Sequence, residues 1–170
     1  DQERYPLKMA NLMTLNLDTK HGPGSLVWGP RPDLVVPLPA GLNMVADRLY
    51  RPATINPEYF PWGHIIMAVD PAGGGQNGDE TGWAVLAYLN SYVFVLDVGG
   101  NPGGHEEDKM LQLAHIAQQW GVRELVVEKN YGNGVYTMLL TSALRSLKYP
   151  CTVSDVMNTG QKELRIIDAL

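Results

Sequence analysis

The sequence predicts an α/β fold: a mixed five-stranded sheet in strand order 3-2-1-4-5 with flanking helices, starting near residue 62. Three observations carry this. Five short apolar runs read as strands. The first three are joined by short connections, which force antiparallel neighbours. The last two are each reached through a stretch of helical periodicity, and such crossovers give parallel neighbours. The simplest sheet then sets the first and fourth runs side by side.

The first strand is Ile65-Ile66-Met67-Ala68-Val69-Asp70, followed by a glycine-rich loop from Pro71 to Gly78. The second spans about 82–89, from Gly82-Trp83 to Tyr88-Leu89. Asn90-Ser91 is a two-residue turn into a third strand at about 92–98, and two runs so joined make a hairpin. Gly99 to Gly104 reads as a loop. A helix follows over about 105–120, with Met110, Leu113, Ala114, Ala117 and Trp120 on one face. Acids Glu106, Glu107 and Asp108 suit its first turn, and Gly121 ends it. The fourth strand, about 123–128, closes on Glu124-Leu125-Val126-Val127-Glu128. A second helix over about 133–147 turns Tyr136, Leu140, Ala143 and Leu147 inward, and a fifth strand spans about 151–156. A third helix begins near Gln161 and is cut at Leu170.

Residues 1–61 have a different character. Nine of the 12 prolines fall at or before Pro61. The stretch from Trp28-Gly29-Pro30-Arg31-Pro32 to Pro37-Leu38-Pro39 cannot sustain a helix or a central strand and reads as an extended connector. Ahead of it, Pro6 to Leu17 predicts a short helix with Met9, Leu12, Met13 and Leu17 on one face and Pro6 at its first position. We read 1–61 as the tail of a preceding domain plus a linker, and both termini as cuts in a longer protein.

Composition narrows the function classes. Hydrophobic content of 45% is a globular value. No run approaches the roughly 20 apolar residues of a membrane span, and no secretory leader opens the chain. Cys151 is the one cysteine, so no internal disulfide can form and a reducing compartment is the default. A net charge of −5 argues against a general nucleic-acid binder, whose footprint is basic. It leaves room for an enzyme that meets phosphates through metal ions.

The chemistry concentrates in two acids, each on the last residue of an apolar run: Asp70 and Glu128. Ligands of open α/β sheets bind outside the strand C-termini. If the two strands are neighbours, the carboxylates converge, and a divalent cation between them relieves their repulsion. Mg²⁺ is typically held by one or two carboxylates plus substrate phosphates. The plain alternatives are a turn acid before Pro71 and a strand-end partner for Lys129 or Arg123. Asp79, just before the second strand, is a candidate further ligand or an ordinary turn residue. Asp97 reads as a solvated edge residue, Asp168 as a weak candidate, and His105 and His115 as surface residues without metal-ligand spacing.

Gly73-Gly74-Gly75-Gln76-Asn77-Gly78 matches G-x-G-x-x-G, but that fingerprint must open a helix, and a strand follows here. Gly-Lys-Ser/Thr and G-x-S-x-G are both absent, which removes a Walker loop and a serine-hydrolase elbow. Asn130 to Gly134 is a tight strand-to-helix turn, and a helix N-terminus there could face a phosphate. Lys129, Lys162 and Arg165 are candidate DNA contacts, with a solvated face as the alternative for the latter two.

These residues carry a resemblance. Val69-Asp70-Pro71-Ala72 with its glycine loop, then Gly78-Asp79-Glu80-Thr81-Gly82-Trp83, resembles the first acidic motif of the large terminase subunit of tailed bacteriophages. Val126-Val127-Glu128-Lys129-Asn130-Tyr131-Gly132 resembles the second, and Gly160 to Ile166 resembles the Lys/Arg-bearing helix that follows. The likeness covers about 62–170 and is nearest to the podovirus-type DNA maturase. Residues 1–61 look more loosely like the end of the ATPase motor and its linker.

The resemblance implies an RNase H-like nuclease domain that cuts concatemeric double-stranded DNA with two Mg²⁺ or Mn²⁺ ions, Asp70 and Glu128 being the metal-bridging acids. The family's third acid lies on a later helix, so the domain is expected to be truncated at its C-terminus. The implied partners are DNA, a portal protein and a small terminase subunit, in an oligomeric motor in the host cytoplasm. Two other readings stay open. One is an actin-like phosphotransferase half, in which Asp70 and the glycine loop hold a nucleotide. The other is a non-catalytic module that docks on a portal.

Overall fold

A computed structural model describes residues 12–29, 31–37, 48–72, 80–129 and 134–157. They fall into two compact units, one through Phe60 and the other Pro61–Asn158.

The first unit holds short strands: β1 (His21–Pro23), β2 (Leu26–Val27), β3 (Thr54–Ile55) and β4 (Tyr59–Pro61). They pair as two small sheets, β1 with β4 and β2 with β3. Among its other described residues, Pro32–Leu34 forms a 3₁₀ turn whose Leu34 is buried. The predicted helix over 6–17 is not found in its described part, 12–17. Met13 instead bridges Tyr50, and the Thr14 N–H donates to the Tyr50 carbonyl at 2.7 Å. Burial alternates residue by residue from Leu12 to Asp18. Met13, Leu15 and Leu17 therefore follow the period of extended chain, and that period overrides the helical reading. The remainder of that predicted helix lies outside the described residues.

The second unit contains β5 (His64–Asp70), β6 (Glu80–Leu89), β7 (Tyr92–Pro102), α1 (Glu107–Trp120), β8 (Glu124–Glu128), α2 (Val135–Ser146) and β9 (Thr152–Val156). The sheet order is β7-β6-β5-β8-β9. The β5–β6 and β6–β7 pairs are antiparallel, and β5–β8 and β8–β9 are parallel. This is the predicted 3-2-1-4-5 order and fits an RNase H-like fold. Asn90 and Ser91 both take positive φ, 48° and 69°, as a two-residue hairpin turn matched to strand twist requires.

One element differs from expectation. The predicted loop at 99–104 is strand as far as Pro102. Its glycines mark close packing, because a side chain at Gly99 would collide with the Trp83 indole and one at Gly100 would meet the Glu80 carboxylate. Pro102 is tolerated because β7 is an edge strand. A register shift at Val85/Leu86 re-aims Asp97, which accepts a 2.9 Å hydrogen bond from the Trp120 indole. Asp97 thus ties the edge strand to α1 and is not merely solvated.

The core lies on one face of the sheet. Met67, Val69, Val85, Leu125 and Val127 meet Met110, Leu113, Ala114 and Ala117 of α1 and Tyr136, Leu140 and Leu144 of α2, all buried. Gly121 ends α1 with φ 69°, and its N–H bonds back to Ala117 and Gln118. Among the described residues no helix is long and apolar enough to cross a membrane.

Thr81 fixes the way the chain leaves β5. Its buried hydroxyl accepts from the Ala72 N–H at 3.0 Å and donates to the Gly103 carbonyl at 3.3 Å. Thr81→Val keeps the shape but strands both groups. It should cost about 1–3 kcal/mol of unfolding free energy, the desolvation cost of unsatisfied buried partners, measurable by urea denaturation. A second prediction concerns pH. Burial, with Glu124 nearby, pushes the Cys151 thiol up to about 11. Its folded value lies above its unfolded one, so its contribution is present below the unfolded value and lost as pH rises toward 11. The stability difference between wild type and Cys151→Ala should therefore shift against wild type across that range in melting curves.

Candidate functional site

Strand pairing sets the geometry of the site. β5 and β8 run in step from Ile66 opposite Glu124 to Val69 opposite Val127. Asp70 and Glu128 are the next residues and the last of their strands. Side chains alternate across a sheet. Met67, Val69, Leu125 and Val127 point into the buried core, so Asp70 and Glu128 share the opposite face. Both line one pocket of about 440 Å³, together with Ala68, Val69, Gly82, Trp83, Ala84, Gly99, Val126 and Val156. The structure thus brings together the two acids that the sequence singled out.

The other sequence candidates fare differently. Asp79, Lys162, Arg165 and Asp168 lie outside the described residues. Lys129 is adjacent to Glu128, but its ammonium sits 4.0 Å from Asp155, and its backbone N–H donates to the Val156 carbonyl at 2.9 Å. That pair is partly exposed and at the outer limit of ion-pair distance. His105 and His115 are exposed as expected, with the His105 ring edge-on to Tyr136 at 5.6 Å. The strand-to-helix turn is described only at Gly134, whose φ of 85° precedes the first residue of α2. β6 follows the glycine-rich segment, so the helix that a dinucleotide fingerprint needs is replaced by a strand.

The donor set has a clear character. Among the described residues no group of three or more His, Cys, Asp or Glu side chains is arranged to hold a metal. What is present is a pair of carboxylates on adjacent strand ends, without thiolate or imidazole. Hard oxygen donors in that number suit Mg²⁺ or Mn²⁺, whose other positions are filled by water and substrate phosphates.

Sequence reasoning missed one residue of the pocket and one on the other face of the sheet. Asp155, on β9 opposite Val127 and so on the helix side, bonds the Thr137 hydroxyl of α2 as well as pairing with Lys129. The only signal was an acid one residue before the end of a strand. Gly82 stands opposite Asp70 in the β5–β6 register and lines the same pocket.

Residues 69–170 match the family described as Terminase Bacteriophage T7, Ribonuclease H-like domain. The chain is 30% identical over 171 residues to the large terminase subunit of Enterobacteria phage T3, a match that takes in 100% of this chain and 28% of that protein. The chain therefore spans under a third of that relative's length. Among solved structures, the nuclease domain of the large terminase subunit of bacterial virus Sf6 aligns with a TM-score of 0.42 and 18% identity, covering 59% of this chain and 41% of that one. The human cytomegalovirus terminase nuclease domain, manganese-soaked and inhibitor-bound, aligns at 0.39 and 16%, covering 54% and 45%.

Asp155→Ala removes one hydrogen bond and one partly exposed ion pair between β9, α2 and Lys129. It should lower stability by about 1–2 kcal/mol in thermal melts.

Proposed function

The chain belongs to the RNase H-like domain family of phage terminases, and from that premise we propose that its sheet-edge pocket is the nuclease site of a DNA-packaging terminase large subunit. On this reading the domain is a metal-dependent endonuclease that cuts concatemeric double-stranded DNA. The observation that carries it is the convergence of Asp70 and Glu128 on one pocket at the carboxyl ends of parallel neighbours. Residues 1–61 then belong to the end of the preceding ATPase domain and its linker. The working assembly is an oligomeric motor with a portal protein and a small terminase subunit, in the host cytoplasm.

Asp70 and Glu128 are the residues that would hold the metal. Bound there, a pair of Mg²⁺ or Mn²⁺ ions supplies activation of water and neutralisation of charge at the leaving 3′ oxygen. The protein's share is positional. Two rigid, hydrogen-bonded strands hold the carboxylates in fixed relation, and site groups on strands are held more tightly than groups on loops. Ala68, Ala84 and Val126 give the pocket an apolar floor, which strengthens electrostatic interactions with the phosphate above it. No side chain is asked to form a covalent intermediate.

Asp70→Asn and Glu128→Gln, made in the intact protein, should each reduce metal-dependent DNA cutting by about 10²–10³-fold, the scale of losing one preorganised charge-stabilising group. Their melting temperatures should stay near wild type. Wild-type cutting by either variant ends the proposal.

A further inference from the structure

Glycine inside a strand is a puzzle to be solved case by case. It weakens the strand relative to alanine and often marks a site where another group comes close. Gly99 is explained by the Trp83 indole, which leaves no room for a side chain, and a side chain at Gly100 would have to displace the Glu80 carboxylate. Gly82 is not explained in that way. It sits within the ten-residue strand β6, and its φ is not in the left-handed region. Among the described residues, a Cβ built on it meets nothing within 4 Å. Neither backbone conformation nor packing against those residues asks for glycine at this position.

The position itself does. Gly82 is the direct cross-strand partner of Asp70, and directly opposed residues place their Cβ atoms about 4.5–5.5 Å apart on one face. Any side chain at 82 would project beside the Asp70 carboxylate, into the pocket shared with Glu128. Among the described residues, apart from those acids and the Trp83 indole, the pocket is lined by aliphatic side chains and glycine backbone. Such a wall offers shape and apolar contact but few groups with which to read base edges.

Resting on the nuclease reading above, we propose that Gly82 is a clearance residue: it keeps the groove beside Asp70 open for the deoxyribose of the DNA strand presented to the two acids. The described wall makes this contact by shape. Gly82 acts on how the strand seats and not on how the metal is held.

The test is a size series, Gly82→Ala and Gly82→Val, in the intact protein. Four quantities are read: the melting temperature, Mn²⁺ binding without DNA, duplex DNA affinity in Ca²⁺ by fluorescence anisotropy, and kcat/KM for Mn²⁺-dependent cutting. Melting temperature should hold or rise, since alanine and valine both favour a strand more than glycine does. Mn²⁺ binding should match wild type. Catalytic efficiency should fall slightly for alanine and about 100-fold for valine, as expected when a reacting strand is displaced by about an ångström, with weaker DNA affinity in the same order. The inference is overturned if the valine variant cuts at the wild-type rate, if it loses Mn²⁺ binding, or if it melts well below wild type. The nuclease reading fails separately, if wild type shows no metal-dependent cutting. The anisotropy series then decides alone whether the groove seats DNA, and wild type binding no DNA overturns both.

Discussion

The in-step parallel pairing of β5 with β8 is the constraint on which everything else in the second unit depends. A strand has a period of two, so a slip of one residue would send every side chain to the wrong face. Here a slip of β8 would expose Leu125 and Val127 and bury Glu128, and a slip of β5 would do the same to Met67, Val69 and Asp70. The hydrophobic cost of that exchange holds the register. Because the register is held, the two acids stand level at the strand ends. The same core that stabilises the domain therefore also aims its chemistry.

This dependence explains how much could be read from the sequence. Pairing sense followed from connection lengths, because short turns and helical crossovers each permit one sense, and the simplest sheet with those senses has the observed order. The two helices announced themselves through Met110, Leu113, Ala114 and Ala117 and through Tyr136, Leu140 and Ala143, all buried as the periodicity required. The acids at 70 and 128 were legible because a charge at the end of an apolar run is hard to explain by packing. The neighbourhood of the site was less legible. Asp155 meets Thr137 and Lys129 only because β9 lies against β8, and no spacing in the sequence encodes that meeting.

The misread elements share a physical cause. Met13 and Leu17, four apart, satisfy a helical or an extended period alike, and a bridge from Met13 to Tyr50 decides between them. Gly99 and Gly100 suggested a loop on residue preference, yet they serve a strand packed under an indole. Asp97 looked solvated until a register shift turned it toward Trp120. In each case a tertiary contact outweighed a local preference, which is the usual way such preferences are overridden.

The Thr81 hydroxyl has one more implication. By holding Ala72 next to the start of β6, it clamps together the two ends of the segment spanning 73–79. The clamp lies two residues beyond Asp70, so the direction in which β5 ends is set by β6 and not by the residues between the two anchors.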